Sequence, residues 1–126
     1  MKKAKFYICR TCGNLVGVIN ASGVPMMCCG KPMEALEPNT VDASGEKHLP
    51  AVTVEDGAVH VMIGSIEHPM VDAHYIEWVY LQTESGGQRI SLNPGQEPKV
   101  TFLLGNEKPV AVYAYCNLHG LWMTEL

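Results

Sequence analysis

The sequence contains no apolar run long enough to cross a bilayer, and its basic start, Met1-Lys2-Lys3-Ala4-Lys5, leads through Phe6-Tyr7-Ile8 straight to Cys9 instead of into the apolar stretch of an export signal. Neither membrane insertion nor secretion is expected. Basic charge is scarce as well. Nine Lys and Arg against 13 Asp and Glu leave a net charge of -4, and the cations are scattered, so the basic face that nucleic acid requires is missing. Internal repeats, low-complexity tracts and long helical periods are lacking. At 126 residues, 47% of them hydrophobic, the chain holds one proper core and a small appendage, not two full-sized domains. The expected compartment is the cytoplasm, where thiols stay reduced and clustered cysteines bind metal rather than form disulfides.

What the sequence does have is metal-binding chemistry at both ends. Cys9-Arg10-Thr11-Cys12-Gly13 reads as a knuckle: two cysteines three apart on a tight turn aim both sulfurs at one ion, and Gly13 supplies the backbone freedom. The partner pair is Cys28-Cys29. Adjacent side chains of an extended strand point to opposite faces, so both can ligate one ion only where the backbone turns locally. Leu15 to Ile19 and Val24 to Met27 are predicted as two short strands around Asn20-Ala21-Ser22-Gly23. A four-thiolate site takes zinc or iron, and the ligands alone do not choose. Either ion would have a structural job, because so short a segment buries too little apolar surface to fold unaided.

Leu36-Glu37-Pro38-Asn39-Thr40 is the expected boundary, giving domains over 1–36 and 37–126. Beyond it, short runs rich in Val, Ile, Tyr and Thr alternate with turn signals such as Asp56-Gly57, Ser85-Gly86-Gly87 and Asn93-Pro94-Gly95, which predicts an all-β antiparallel sandwich. Set into this pattern are Glu46-Lys47-His48-Leu49-Pro50, His68-Pro69-Met70, His74-Tyr75-Ile76-Glu77-Trp78 and Cys116-Asn117-Leu118-His119-Gly120. His68 and His74 are six apart with Pro69 between them, so they share no helical face and converge only through a turn. Four imidazoles and one thiolate exceed the four ligands a structural zinc prefers, whereas iron takes five and keeps a sixth position open. Lys47 would place a cation near that position. An exposed Glu46-Lys47 pair without consequence is the blander reading.

The first 36 residues, with Tyr7-x-Cys-x-x-Cys-Gly followed by Cys28-Cys29-Gly30, resemble desulforedoxin. Residues 37–126 resemble the catalytic domain of superoxide reductases through the histidine and Cys116 motifs just quoted. Together the chain is similar to the desulfoferrodoxins, the two-iron form of that family. The resemblance implies an iron-tetrathiolate domain at Cys9, Cys12, Cys28 and Cys29, then an immunoglobulin-like sandwich. In the latter, a square-pyramidal iron has His48, His68, His74 and His119 equatorial and Cys116 axial. It implies one-electron reduction of superoxide to hydrogen peroxide, a rubredoxin-like electron donor, a homodimer, and a Glu46 that swings in to bind ferric iron.

Other readings compete on the residues alone. Cys116, His119 and Met123 on a β-sandwich would suit a blue-copper electron carrier, although the surplus histidines and the first cysteine cluster then go unexplained. A zinc-bound interaction module leaves the histidine motifs idle. A Cys116-His119 hydrolase lacks an oxyanion hole or orienting partner in the sequence. His60 alternates opposite Val59, Val61 and Ile63 without a motif and reads as a surface residue, and Tyr75, Trp78 and Trp122 read as packing.

Overall fold

Short β-branched and aromatic runs, broken every few residues by glycine or proline, favour strands over helices. The computed structural model, which describes residues 2–126, has twelve strands and one four-residue helix among them. The chain divides into two compact units, one ending at Glu37 and the other running Pro38–Leu126.

In the first unit β1 (Lys5–Ile8) lies between β2 (Leu15–Val18) and β5 (Glu34–Ala35), antiparallel to both. Two further strands, β3 (Met27–Cys28) and β4 (Lys31–Pro32), make a minimal hairpin. Its loop is Cys29-Gly30, with φ of 52° and 74°. Positive φ at both central residues is the turn whose twist matches that of the flanking strands. The strand predicted over Val24 to Met27 does not form as such: only Met27 is extended in a ladder, and there its partner is Pro32. β2 is already paired with β1, and Pro25 has no N–H to offer a second ladder.

The second unit begins with α1 (Gly45–His48), followed by β6 (Pro50–Glu55), β7 (Ala58–Ile63), β8 (Ile76–Thr83), β9 (Gly87–Ser91), β10 (Lys99–Leu103), β11 (Pro109–Cys116) and β12 (Gly120–Glu125). The strands form two antiparallel sheets, ordered β10-β7-β6 and β12-β11-β8-β9. One core lies between them. It draws Val59, Val61 and Ile63 from β7, Val79 and Leu81 from β8, Phe102 from β10, and Val112, Ala114 and Cys116 from β11. Each of the Val, Ile, Leu and Phe side chains contributes roughly 1.5–3 kcal/mol by leaving water. The alternation that buries Val112 and Ala114 carries the last residue of β11 inward too, so the Cys116 thiol is held by the core itself. β12, which follows Cys116 after three residues, is absent from the sequence-based strand pattern. Its outer side is engaged at Met123, whose N–H donates to Asn39 Oδ1 at 2.8 Å and whose carbonyl accepts from Asn39 Nδ2 at 3.1 Å.

Candidate metal centres

In the first unit the knuckle closes as a turn: the Cys9 N–H donates to the Asn14 carbonyl and the Gly13 N–H to the Cys9 carbonyl, both at 2.8 Å, with Gly13 at φ 85°. The positive φ at Cys29 is the local turn that lets two adjacent cysteines face one point. The four sulfurs lie within 4.8 Å of one another, Cys12 and Cys28 at 3.6 Å. Metal–sulfur bonds of about 2.3 Å give tetrahedral edges of about 3.8 Å, so the set fits a single four-coordinate ion. The Asn14 main-chain N–H donates to Cys12 Sγ at 3.5 Å and its side-chain amide to Cys28 Sγ at 3.6 Å, bonds that favour thiolates. All four cysteines are free. Chiefly through the Cys12 main-chain N–H, the Cys9 thiol is lowered to about 6. Cys29 is pushed up to about 12, first by Cys12 and then by Cys9 and Cys28. Sulfurs this close do not all ionise without a cation between them.

In the second unit α1, the segment between β7 and β8, and the hairpin loop after Cys116 supply the histidines. His48, His68, His74 and Cys116 bring one donor atom each within 4.8 Å of the others. His119 joins them through Nδ1, which is 3.0 Å from His48 Nε2 and 3.9 Å from Cys116 Sγ. The four rings close a cycle in the order His48, His68, His74, His119. Neighbouring centroids are 4.7 to 5.0 Å apart and neighbouring planes are inclined at 76° to 88°, while His48 and His74 face each other across it at 6.2 Å.

The ring nitrogens state what the cycle is for. His48 Nδ1–H donates to the Ser44 carbonyl and His68 Nδ1–H to the Pro69 carbonyl, each at 2.6 Å. Those bonds fix the tautomer and turn the Nε2 lone pairs inward. Buried His68 Nε2 and His74 Nε2 find no hydrogen-bond partner. An unsatisfied buried lone pair costs about 1–3 kcal/mol, so two of them aimed at one point call for a cation. Burial lowers the pKa of His48, of His68 to about 4, and of His74, keeping the rings neutral as ligands must be. Burial pushes the Cys116 thiol up, partly offset by the main-chain N–H groups of Leu118 and His119. Only a metal charge would make a thiolate there at neutral pH. Trp122 stacks on His48 with centroids 4.9 Å apart, and its Nε1–H donates to the His119 carbonyl at 3.0 Å, so it supports two of the rings.

Lys47 and Glu46 are both exposed on α1. Lys47 lies close enough for its charge to lower the pKa of His48 and His74, after the larger effect of burial. The Glu46 carboxylate is not among the clustered donor atoms, and its main-chain carbonyl accepts from the Ile66 N–H at 3.0 Å. Gly64 was not legible as a site residue. At φ 83°, a Cβ there would lie 2.4 Å from the Ile66 carbonyl oxygen and 2.7 Å from the Lys47 main chain. The close approach seats α1 and therefore His48. Met123 is opposite Tyr113 across the β11–β12 ladder, on the face away from Ala114 and Cys116, so the copper-type axial ligand is not available. His60 hydrogen-bonds Thr101 on an exposed sheet face, apart from both clusters.

The same two-part organisation emerges from comparison with known proteins. The Desulfoferrodoxin family profile matches residues 40–125, and that of the desulfoferrodoxin N-terminal domain matches residues 1–36. The chain is 42% identical to the desulfoferrodoxin of Syntrophotalea carbinolica over 98% of each chain. It is 39% identical to that of Nitratidesulfovibrio vulgaris, over 96% of this chain and 95% of the relative. The crystal structure of the superoxide reductase from Treponema pallidum superposes with a TM-score of 0.82 at 36% identity, covering 98% of this chain and 100% of that one. Matched at both ends and nearly throughout, this chain belongs to the desulfoferrodoxin family.

Proposed function

We propose that this protein is a superoxide reductase, carrying one superoxide at a time to hydrogen peroxide with one electron and two protons. The observation that carries the reading is the closed cycle of four imidazoles with the buried Cys116 sulfur beside it. The protein has two iron centres, a four-cysteine one and a four-histidine, one-cysteine one. We assign Cys9, Cys12, Cys28 and Cys29 to the first, within a tetrathiolate domain over 1–36. The second takes Nε2 of His48, His68 and His74, Nδ1 of His119, and Cys116, within a catalytic domain over 37–126.

When bound, ferrous iron at the second centre supplies the electron and an open coordination position for a small anion. The chain supplies the rest. Neutral imidazoles leave Cys116 as the one anionic ligand, and the Leu118 and His119 N–H groups temper its donation. The Ser44 and Pro69 carbonyls hold two rings in the ligating tautomer. Lys47 is assigned to attract the superoxide anion, countering the net charge of -4. Glu46 is assigned as a carboxylate that would be available to the iron, its place on α1 one residue from Lys47 and two from His48 supporting that role.

A reductase needs an outside electron for each turnover, and we assign a rubredoxin-like protein as donor. Five free cysteines suit a reducing compartment, here the cytoplasm. No helix among the described residues is long and apolar enough to cross a membrane. We further propose a homodimer, supported by apolar surface on the first unit: Ile19, Val24 and Met27 are exposed, and Val24 and Met26 line a groove of about 600 Å³.

The deciding experiment is metal analysis with oxidised and reduced spectra, followed by mixing the reduced protein with superoxide. Two irons per chain, and peroxide formed without dioxygen, are expected. Zinc alone, or dioxygen evolution, would refute the assignment.

A further inference from the structure

We propose that Asn117 is a positioning residue for the second centre, holding His74 in register with Cys116. The inference rests on the ligand assignment above. Asn117 follows Cys116 in the chain, and its side chain reaches across to the segment that carries His74. Its Oδ1 accepts the Tyr75 N–H at 3.0 Å, and its Nδ2 donates to the Ala73 carbonyl at 3.0 Å. One amide thus grips the main chain immediately before and immediately after His74. The Asn117 N–H adds a third bond, to the Tyr75 carbonyl at 3.2 Å. The orientation of the amide is unambiguous, because an N–H can only donate and a carbonyl can only accept.

His48 and His68 are aimed by bonds from their own rings to main-chain carbonyls. His74 is held through its backbone instead. Apart from the Asn117 grip, its main chain is tied by a two-bond bridge to Val71, each bond 3.0 Å. Val71 is itself on an exposed loop position. The β8–β11 ladder pairs Cys116 with Ile76, and the Asn117 side chain, springing from the residue next to the sulfur, extends that register past the ladder's end to the two peptide groups flanking His74. Asn is suited to this where Asp is not: a carboxylate would accept from Tyr75 but repel the Ala73 carbonyl.

The test compares iron-loaded Asn117→Ala, Asn117→Asp and His74→Ala with the unaltered chain. Three quantities are read: iron affinity at each centre against a competing chelator, the sulfur-to-iron charge-transfer band of the oxidised second centre, and hydrogen exchange at the Tyr75 amide. For Asn117→Ala, affinity at the second centre should fall about 10- to 100-fold, the size typical of losing a group that orients a ligand. The band should move and Tyr75 should exchange faster, while the first centre keeps its iron. Asn117→Asp should keep more of the Tyr75 protection and fall between the two, and it decides the matter should Asn117→Ala not fold. Unchanged affinity and an unmoved band in the Asn117 variants, with His74→Ala impaired, would overturn this inference and leave the function standing. Unchanged affinity in His74→Ala would overturn the ligand assignment and this inference with it.

Discussion

In the first unit the ligand-bearing backbone is most of the fold, whereas in the second the ligands are mounted on a sheet pair that has a core of its own. Among the described residues before Glu37, only Phe6, Ile8 and Cys9 are buried apolar residues, and one of these is itself a candidate ligand. The second unit buries a continuous cluster from Val59 to Cys116 between its sheets. The same element thus has two physical roles. In one unit it would substitute for a core too small to form, and in the other it would be held by donors mounted on a core that forms without it.

Stripping the iron should separate the two roles most sharply. A chelator strong enough for both centres is expected to unfold the first unit, seen as loss of amide protection at β1 and β2, while the strands of the second unit stay protected. Uniform loss across the chain would make the core of the second unit dependent on its metal too. Next in size, Cys12→Ser should abolish the tetrathiolate absorption yet leave the rate of superoxide reduction within about twofold, since the reaction is assigned to the second centre. A folded variant without reductase activity would place chemistry at the first centre.

Gly64→Ala probes the mounting in the second unit. A methyl group 2.4 Å from one carbonyl oxygen at φ 83° should cost about 2–4 kcal/mol in denaturant unfolding of that unit and lower its iron content, with the first centre intact. Iron-free protein should also show which unit carries buried imidazoles. His68 takes its proton at about 4 when folded and at 6.5 when unfolded, so the unfolded chain binds more protons between those values. The His68 contribution to the stability of the second unit is therefore complete above pH 6.5 and falls as pH drops towards 4, by an amount on the order of 3 kcal/mol. A flat profile over that window would mean the rings are not buried without iron. Smallest of all, Lys47→Ala should slow superoxide capture about tenfold at low ionic strength and less in high salt, by stopped-flow measurement. A rate insensitive to both would remove Lys47 from the capture step.

How much of this was visible in the sequence differed between the units for a physical reason. In the second, strands are long enough for alternation to speak: β7 buries Val59, Val61 and Ile63 and exposes His60 between them, as the His60 reading expects. The candidate donors could be named only because the histidine and Cys116 motifs occur together and resemble those of superoxide reductases, since Cys116-x-x-His119 or any one histidine alone is weak evidence. In the first unit the strands are two to four residues long, and the strand expected over Val24 to Met27 is displaced to Met27–Cys28 because pairing there is settled by the fold, not by local pattern. The nitrogen that each ring offers was not legible either. It depends on carbonyls at Ser44 and Pro69, which carry no side-chain signature. Nor was the seat that Gly64 makes for α1, or the grip of Asn117 on His74. Both are contacts between segments far apart in the chain.

Asn39 has one more implication. β12 is the last strand of its sheet, and such a strand offers its free peptide groups to any passing chain that can add alongside. By engaging both polar groups of Met123 with one side-chain amide, at φ 62°, Asn39 occupies a docking point for that kind of growth. A single residue just past the junction of the two units thus bears on whether copies of the protein stay apart when crowded.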